Sequence, residues 1–590
     1  MCGIIAGVGE VNLIPTGLEM LKNLEYRGYD SAGIAYFEKG EIFAQKCIGG
    51  VDKLKECCAF NIDSNVMIGH TRWATHGKVC LQNAQPIIQN NIALVHNGIF
   101  ENYKEFAYEF EQNDLTVSDT FCWTKYLVKK LEELAFISEE SVLQQFKQLL
   151  DNSRGSWAIC FLYKYLPNCI FFAKKDSPMV LGLGDRCIWI GSDEYALSQV
   201  CRKVYHLENS QYGWVSSKNL RVYDKFGREC DIFWSKICND LKESKTQNDC
   251  IMESEIEEGI DSAIQTLENF DFSYVSKFLK NISPKTKLYI SGCGTAHNAG
   301  KIAKFWLNKH FPFVEVEYAS EFLVNQQNID SNCICIFVSQ SGETADTLKC
   351  VNLAKERQAK TLGIVNMENS SIANLVDILI LGKSQKEYAV AATKSYMAQL
   401  AALYALSSCV DIEKSHLRKV DRLKELLLSL KNITIERIDD VVELIKDRQS
   451  IYYLGRGMDY LVALEGALKL KEVSYIHVEA MPAGELKHGS IALIDSDFVS
   501  IVLSTQNATK EKMKTCISEI KCRGGKVVVF SPFVDVGQMG DIWVKLIECE
   551  DELAPFVLSY PLQRLAYLTA KRKGFNPDKP RNLAKSVTVE

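Results

Sequence analysis

Leu288-Tyr289-Ile290-Ser291-Gly292-Cys293-Gly294 is an apolar run that ends in a glycine turn, and Ile451-Tyr452-Tyr453-Leu454-Gly455-Arg456-Gly457 repeats the pattern further along the chain. Each run leads into a stretch of helical period. The next apolar run of each copy ends in a hydroxyl-rich turn, Ser339-Gln340-Ser341 in the first and Ser504-Thr505-Gln506 in the second. Apolar strands that alternate with long amphipathic helices predict a parallel α/β sheet. The recurrence predicts two copies of one unit, at about 280–410 and 440–570.

Upstream of the repeat the rhythm changes. Short alternating runs such as Gly33 to Phe37, Ile92 to Val95, Ala158 to Tyr163 and Cys187 to Gly191 predict an α+β domain with antiparallel sheets. The polar stretch Lys242 to Asp249 reads as a linker. The expected organisation is therefore a first domain at 2–238, a linker at 239–275, α/β domains at 276–415 and 435–575, and a tail at 576–590. The tail is polar and is expected to be disordered unless something holds it.

Composition bounds the function. With 590 residues, 47% apolar and 24% charged, the chain has the balance of a multi-domain globular protein. A net charge of -6 provides no footprint for nucleic acid or an anionic membrane, although it leaves room for a local basic pocket. No apolar run approaches the roughly 18 residues of a membrane span. Met1 to Gly9 lacks a basic leader and reads as a first strand, so the chain is expected in the cytoplasm. The 21 cysteines include no pair with zinc-type spacing and are expected to be reduced thiols. Neither a metal-ligand set nor a phosphate-binding P-loop nor a pyridoxal-phosphate signature is visible, so no metal and no cofactor is expected.

Cys2 stands out by position. Removal of Met1 would leave it with a free α-amino group, whose pKa near about 8 suits a base for its own thiol. Taken alone, Cys2 reads first as a small apolar strand residue. His70-Thr71-Arg72-Trp73-Ala74-Thr75-His76-Gly77 sets a cation, an indole and hydroxyls between strands, and His96-Asn97-Gly98 sets an amide and a glycine N–H where an oxyanion could be held. In the repeat, Ser339-Gln340-Ser341-Gly342-Glu343-Thr344 before a helix forms an anion-binding turn or a plain helix cap. Helix Leu461 to Val473 carries Glu465, Lys469 and Glu472 on one face. Such a stripe is ordinarily solvated, yet this helix follows a strand end where α/β sheets place ligands. His488 follows in a glycine-flanked loop and suits proton transfer.

The motifs MCGI, EYRGYDSAG, HTRWATHG and HNGIFEN resemble the class II, or N-terminal nucleophile, glutamine amidotransferases across the whole first domain. That resemblance implies an αββα fold in which Cys2 attacks the glutamine side-chain amide and Asn97 and Gly98 hold the oxyanion. It also implies that Arg72 pairs with the glutamine carboxylate, that Asp119 holds its ammonium, that Thr75 and His76 line the pocket, and that Trp73 lies where ammonia leaves. Phe121 departs from the usual glutamate. The paired turns of the repeat resemble the sugar isomerase (SIS) domain, which implies sugar-phosphate contacts from Thr295, Ser339, Gln340, Ser341, Thr344, Val390 and Lys469. Ala296 and Ala392 stand where that family commonly has serine.

The stretches LEGALKLKEVSYIHVEAMPAGELKHG and PRNLAKSVTVE are similar to the glutamine-dependent amino-sugar-phosphate synthases. The family's reaction implies L-glutamine and D-fructose 6-phosphate as substrates, with Glu472 moving the C1/C2 proton, His488 assisting ring opening and Lys585 forming a Schiff base. The family is homodimeric with sites built across subunits. Readings that stay open are an amidotransferase with another sugar acceptor, a phosphoribosyl-type amidotransferase, and a non-enzymatic sugar-phosphate sensor.

Overall fold

The structure, a computed structural model, describes residues 2–57, 62–73, 78–108, 118–237, 250–279, 283, 285–325, 328–410, 415–431 and 433–586. The chain forms two compact units, one of Met1–Lys245 with Ser586–Glu590 and one of Thr246–Lys585.

The first unit stacks two antiparallel sheets. One has eight strands, with Gly3–Gly9 between Cys187–Gly191 and Val66–Arg72. The other has six, with Ile92–Phe100 paired to Gly155–Tyr163. Alternation dictates the layering, because successive side chains leave opposite faces of a strand. Ile4, Ala6 and Val8 turn inward and meet Val95, Cys160 and Phe172 in a core between the sheets. Ile5 turns outward onto the helix Ile14–Asn23. On the outer face of the second sheet, Phe161 and Phe171 pack with Trp123 and Phe146 from the helices Asp119–Glu132 and Glu139–Asp151. This αββα arrangement brings Cys2, just before a strand of one sheet, against Asn97 on a strand of the other.

The second unit holds two five-stranded parallel sheets with the same strand order. In the first repeat it is Val314–Tyr318, Lys287–Gly292, Cys333–Ser339, Lys360–Val365 and Ile378–Leu381. In the second it is His477–Pro482, Ser450–Gly455, Val499–Leu503, Lys526–Ser531 and Ile542–Lys545. Gly294 and Gly457 occupy matching places before a helix, with φ of 53° and 56°, a region that favours glycine. In such sheets strand order reverses between the first and third strands, and the crevice at their carboxyl ends is where ligands bind. In the first repeat those ends carry Thr295 and the turn Ser339–Thr344.

Residues expected in a linker at 239–275 are largely helical instead. Ile251–Glu257 and Gly259–Glu268 bury Met252, Ile256, Ile260 and Leu267 in the core of the second unit. Apolar residues at helical spacing here outweigh the polar stretch before them, and that stretch, Lys242 to Asp249, lies outside the described residues. The tail is held where it is described. Asp578 accepts hydrogen bonds from the Ile251 and Met252 N–H groups, its carbonyl accepts from Val390, and the Arg581 N–H donates to Tyr475. A carboxylate at these orphan helix donors is the anchor that the tail's composition does not reveal.

Candidate active sites

Cys2 immediately precedes the strand Gly3–Gly9, and the Trp73 N–H donates to its Sγ at 3.4 Å. Burial raises the thiol pKa, against which the nearby N–H and the Arg72 guanidinium act to stabilise a thiolate. Asn97 reaches back from its strand and donates Nδ2 to the Cys2 carbonyl at 2.9 Å and to Ser192 Oγ at 2.8 Å. Its Oδ1 lies 3.1 Å from His70 Nε2. Burial lowers the His70 pKa to about 3, so the ring is neutral, and an Nε2–H there donates to Asn97 and fixes the amide's orientation. Both Asn97 N–H groups are thus engaged, and an oxyanion would compete with Ser192 or the Cys2 carbonyl for one of them. Gly98 has φ of 132°, and a Cβ there would collide with the Ser156 carbonyl. The close approach of the neighbouring strand requires glycine.

Asp119 is the first residue of its helix and lies almost fully buried, accepting a hydrogen bond from the Phe100 N–H at 2.9 Å. The departure at Phe121 leaves the helix start intact, since its N–H donates to the Ser118 cap. Arg72 is buried and donates to the Lys78 carbonyl at 3.3 Å. Thr75 and His76 lie outside the described residues. Sequence reasoning missed Ser192 and Asp193. Ser192 accepts hydrogen bonds from both Ile4 and Asn97, and Asp193 is hydrogen bonded by Tyr26 and pairs with Arg27 at 3.1 Å. The charges of the EYRGYDSAG motif are therefore largely spent on packing, as Glu25 also accepts from the Val51 N–H.

In the second unit, the helices Thr295–Leu307 and Met458–Ser474 meet through polar groups. Thr295 Oγ1 donates to Glu465 at 3.0 Å and accepts from Lys469 at 3.0 Å, and Asn298 donates to the other Glu465 oxygen at 2.8 Å. Lys469 also reaches Glu472 at 2.6 Å. Burial works against the Lys469 ammonium, but Glu472 and Glu465 overcome it and hold its pKa above the ordinary value. Of the stripe read as a solvated face in the ordinary case, Glu465 and Lys469 are buried and Glu472 is partly buried. Across the crevice, Ser339 Oγ lies 3.0 Å from Thr344 Oγ1 and accepts from the Gly342 N–H, while Ser341 Oγ accepts from the Glu343 N–H. Thr344 precedes the helix Ala345–Glu356 without its side chain capping it. Gln340 contributes its carbonyl to the Asn366 N–H.

Lys585 lies in this unit as well, paired with Glu387, and both side chains are almost wholly buried. Glu387 also accepts from the Thr393 N–H at 2.9 Å, the Ser395 N–H at 3.1 Å and the Ser395 hydroxyl at 2.6 Å. Burial alone would raise its carboxyl pKa, but Lys585 and these donors hold it low. The Glu387 charge is felt at Lys469, which ties the tail lysine to the Glu465–Lys469–Glu472 group. Sequence reasoning missed Glu387, and a carboxylate three residues before Val390 carries no local signal. His488 is exposed, and no hydrogen bond joins its side chain to Glu472, Lys469 or Lys585 within one chain.

Among the described residues no group of His, Cys, Asp and Glu is arranged to hold a metal ion, and no helix is long and apolar enough to cross a membrane. A family model described as "SIS domain" matches residues 281–408 and 443–570. Over its full length the chain is 36% identical to the whole of glutamine–fructose-6-phosphate aminotransferase (isomerising) from Caldanaerobacter subterraneus. The chain belongs to the glutamine–fructose-6-phosphate aminotransferase family. The member from Pyrococcus horikoshii is likewise 36% identical, with both chains fully covered. The solved C-terminal domain of glucosamine-fructose-6-phosphate aminotransferase from Francisella tularensis covers 57% of this chain and all of its own, at 32% identity and a TM-score of 0.51. Tagatose-6-phosphate ketose/aldose isomerase from Escherichia coli shares the fold over 56% of this chain and 96% of its own, at 20% identity and a TM-score of 0.50.

Proposed function

We propose that this chain converts D-fructose 6-phosphate and L-glutamine into D-glucosamine 6-phosphate and L-glutamate, as a cytoplasmic homodimer. The observation that carries the reading is full-length similarity to aminotransferases of that name, joined to a buried Glu465–Lys469 pair, bonded to Thr295 and Glu472, that Lys585 approaches through Glu387. In the first unit, the Cys2 thiolate attacks the glutamine amide while Asn97 and Gly98 hold the oxyanion. Ammonia leaves, and water hydrolyses the thioester to glutamate. Arg72 and Asp119 orient the amino-acid end of glutamine, with Trp73 at the exit.

In the second unit, Thr295, Ser339, Gln340, Ser341 and Thr344 hold the sugar phosphate by hydroxyls, an amide and helix N–H groups, beside Val390 and Lys469. Lys585, in its free-amine form, condenses with C2 of the open-chain ketose and releases water. Ammonia displaces the lysine amine and leaves an imine at C2. Glu472 removes a proton from C1 and returns one to C2, which turns the C1 alcohol into an aldehyde and the C2 imine into an amine. His488, exposed on its own chain, serves ring opening in the site of a second copy.

The test is a paired assay of glutamate and glucosamine 6-phosphate, with and without fructose 6-phosphate. Equal yields that require the sugar are expected. Glutamate without amino sugar would point to another acceptor, and neither product would point to a sensor. Replacing Lys585 with Ala is expected to abolish the amino sugar while glutamine hydrolysis survives. Retained synthesis would remove Lys585 from the mechanism.

A further inference from the structure

The first unit carries a cavity of about 370 Å³, formed by Glu139–Asp151, Gly155–Tyr163, Cys169–Lys175 and Tyr212–Ser216 with the loop at Lys225 and Phe226. Its size falls at the small end of the roughly 300–1,000 Å³ of small-molecule pockets. Its walls bring together Lys147, Lys174, Lys175 and Lys225 against one carboxylate, Asp151, which is already paired with Lys147. In a chain whose net charge is -6, this concentration of ammonium groups runs against the average.

Lys174 Nζ donates to the Leu207 carbonyl at 2.7 Å, whereas the other three lysines turn toward aromatic faces. Lys175 Nζ lies 4.7 Å from the Trp157 ring centre and Lys147 Nζ 5.8 Å from that of Tyr212. Lys225 and Arg228 lie at 4.9 and 5.1 Å from the Phe226 ring, which is 70% exposed. Among the described residues, no ion pair engages Lys175 or Lys225. A ring face is a weak partner for an ammonium group, and an anionic oxygen is a stronger one. Phe226 at the rim, with cations on its face, offers a platform on which a planar base can stack.

We propose that this cavity binds a small organic polyphosphate bearing a planar ring, a nucleoside diphosphate in size and charge. Lys175 and Lys225 take the phosphates and Phe226 takes the ring. The site is distinct from the one around Cys2 but adjoins it. Trp157 is paired in register with Gly98, so an occupant that orders Trp157 bears on the strand that carries Asn97.

The test is calorimetric titration of the full chain, in the presence of saturating fructose 6-phosphate, with ADP, pyrophosphate and adenosine in turn. ADP is expected to bind at least tenfold more tightly than pyrophosphate, and adenosine not to bind. The double variant Lys175→Glu/Lys225→Glu should weaken ADP at least tenfold while its glutamine hydrolysis without ADP stays unchanged. The neutral pair Lys175→Gln/Lys225→Gln should fall between, and Phe226→Ala should reduce ADP to the affinity of pyrophosphate. Absence of binding by both phosphate probes, adenosine binding as well as ADP, or ADP binding unaltered in a folded charge-reversal variant would each overturn the proposal.

Discussion

The two α/β repeats of the second unit share strand order and a left-handed glycine before the first helix, yet treat the same crevice differently. Two residues after Gly294 stands Ala296; two residues after Gly457 stands Asp459. The Asp459 carboxylate is fully buried and accepts the Thr505 N–H at 2.9 Å and the Thr505 hydroxyl at 2.5 Å. Gln506, beside it, donates to the Arg456 carbonyl at 2.7 Å. The second crevice is therefore satisfied by the chain's own anion. In the first, with Ala296 in the matching place, the hydroxyls of Ser339 and Thr344 face each other. On the proposed reading, in which the first crevice holds the sugar phosphate, one side chain decides whether a ligand or the protein fills the crevice at the strand reversal.

The largest test of this contrast is Lys469→Met. It strands Glu465 and Glu472 without their shared cation, and loss of a partner from a buried ionic group costs about 3–5 kcal/mol. Denaturant midpoints should fall accordingly, with amino-sugar synthesis abolished; a midpoint within experimental error of the parent would show that the group is solvated. Next, Ser339→Ala/Thr344→Ala should raise KM for fructose 6-phosphate by roughly tenfold or more, one lost charge-assisted hydrogen bond being worth about 1.5–3 kcal/mol. The matching change Ser504→Ala in the second repeat should leave KM unmoved, and equal effects would erase the distinction between the crevices.

Asp459→Ala should cost about 1–3 kcal/mol, since it leaves the Thr505 donors buried and unmatched. Added inorganic phosphate should restore part of that stability in the variant and add less to the parent. Failure of phosphate to discriminate would mean that Asp459 fills no anion site. The smallest effect is on pH dependence. Burial raises the Asp459 carboxyl pKa to about 6 despite the Thr505 and Gln506 hydrogen bonds. The folded state therefore binds more protons than the unfolded one between about pH 4 and 6, and the stability this supplies is present below pH 4 and lost as pH rises through 6. The stability difference between parent and Asp459→Asn should decline over that window by at most about 1.4 kcal/mol per pH unit. A difference that is flat with pH would place the Asp459 pKa near its unfolded value.

Legibility differed by the range of the interaction. The strand–turn–helix units and the repeat follow from local periodicity, and the placing of Glu465, Lys469 and Glu472 on one face follows from helical geometry. The burial of Glu465 and Lys469 does not. It depends on Thr295 and Asn298 arriving from a helix some 170 residues earlier in the chain. The helices at 251–268 were hidden because their apolar spacing follows a polar run that reads as a linker.

By itself the sequence determined an antiparallel α+β first domain, the twin parallel sheets and the hydroxyl turn, because periodicity and turn chemistry are properties of adjacent residues, while the αββα layering and the roles around Cys2 were implied by resemblance to a family. Only the tertiary structure decided that Asn97 spends both amide hydrogens on Cys2 and Ser192, that Glu387 holds Lys585, and that Asp459 closes the second crevice. Each of these is a pairing of polar groups removed from water. Which partners meet there is settled by how the elements pack, since a buried polar group must find its partner wherever the fold brings one.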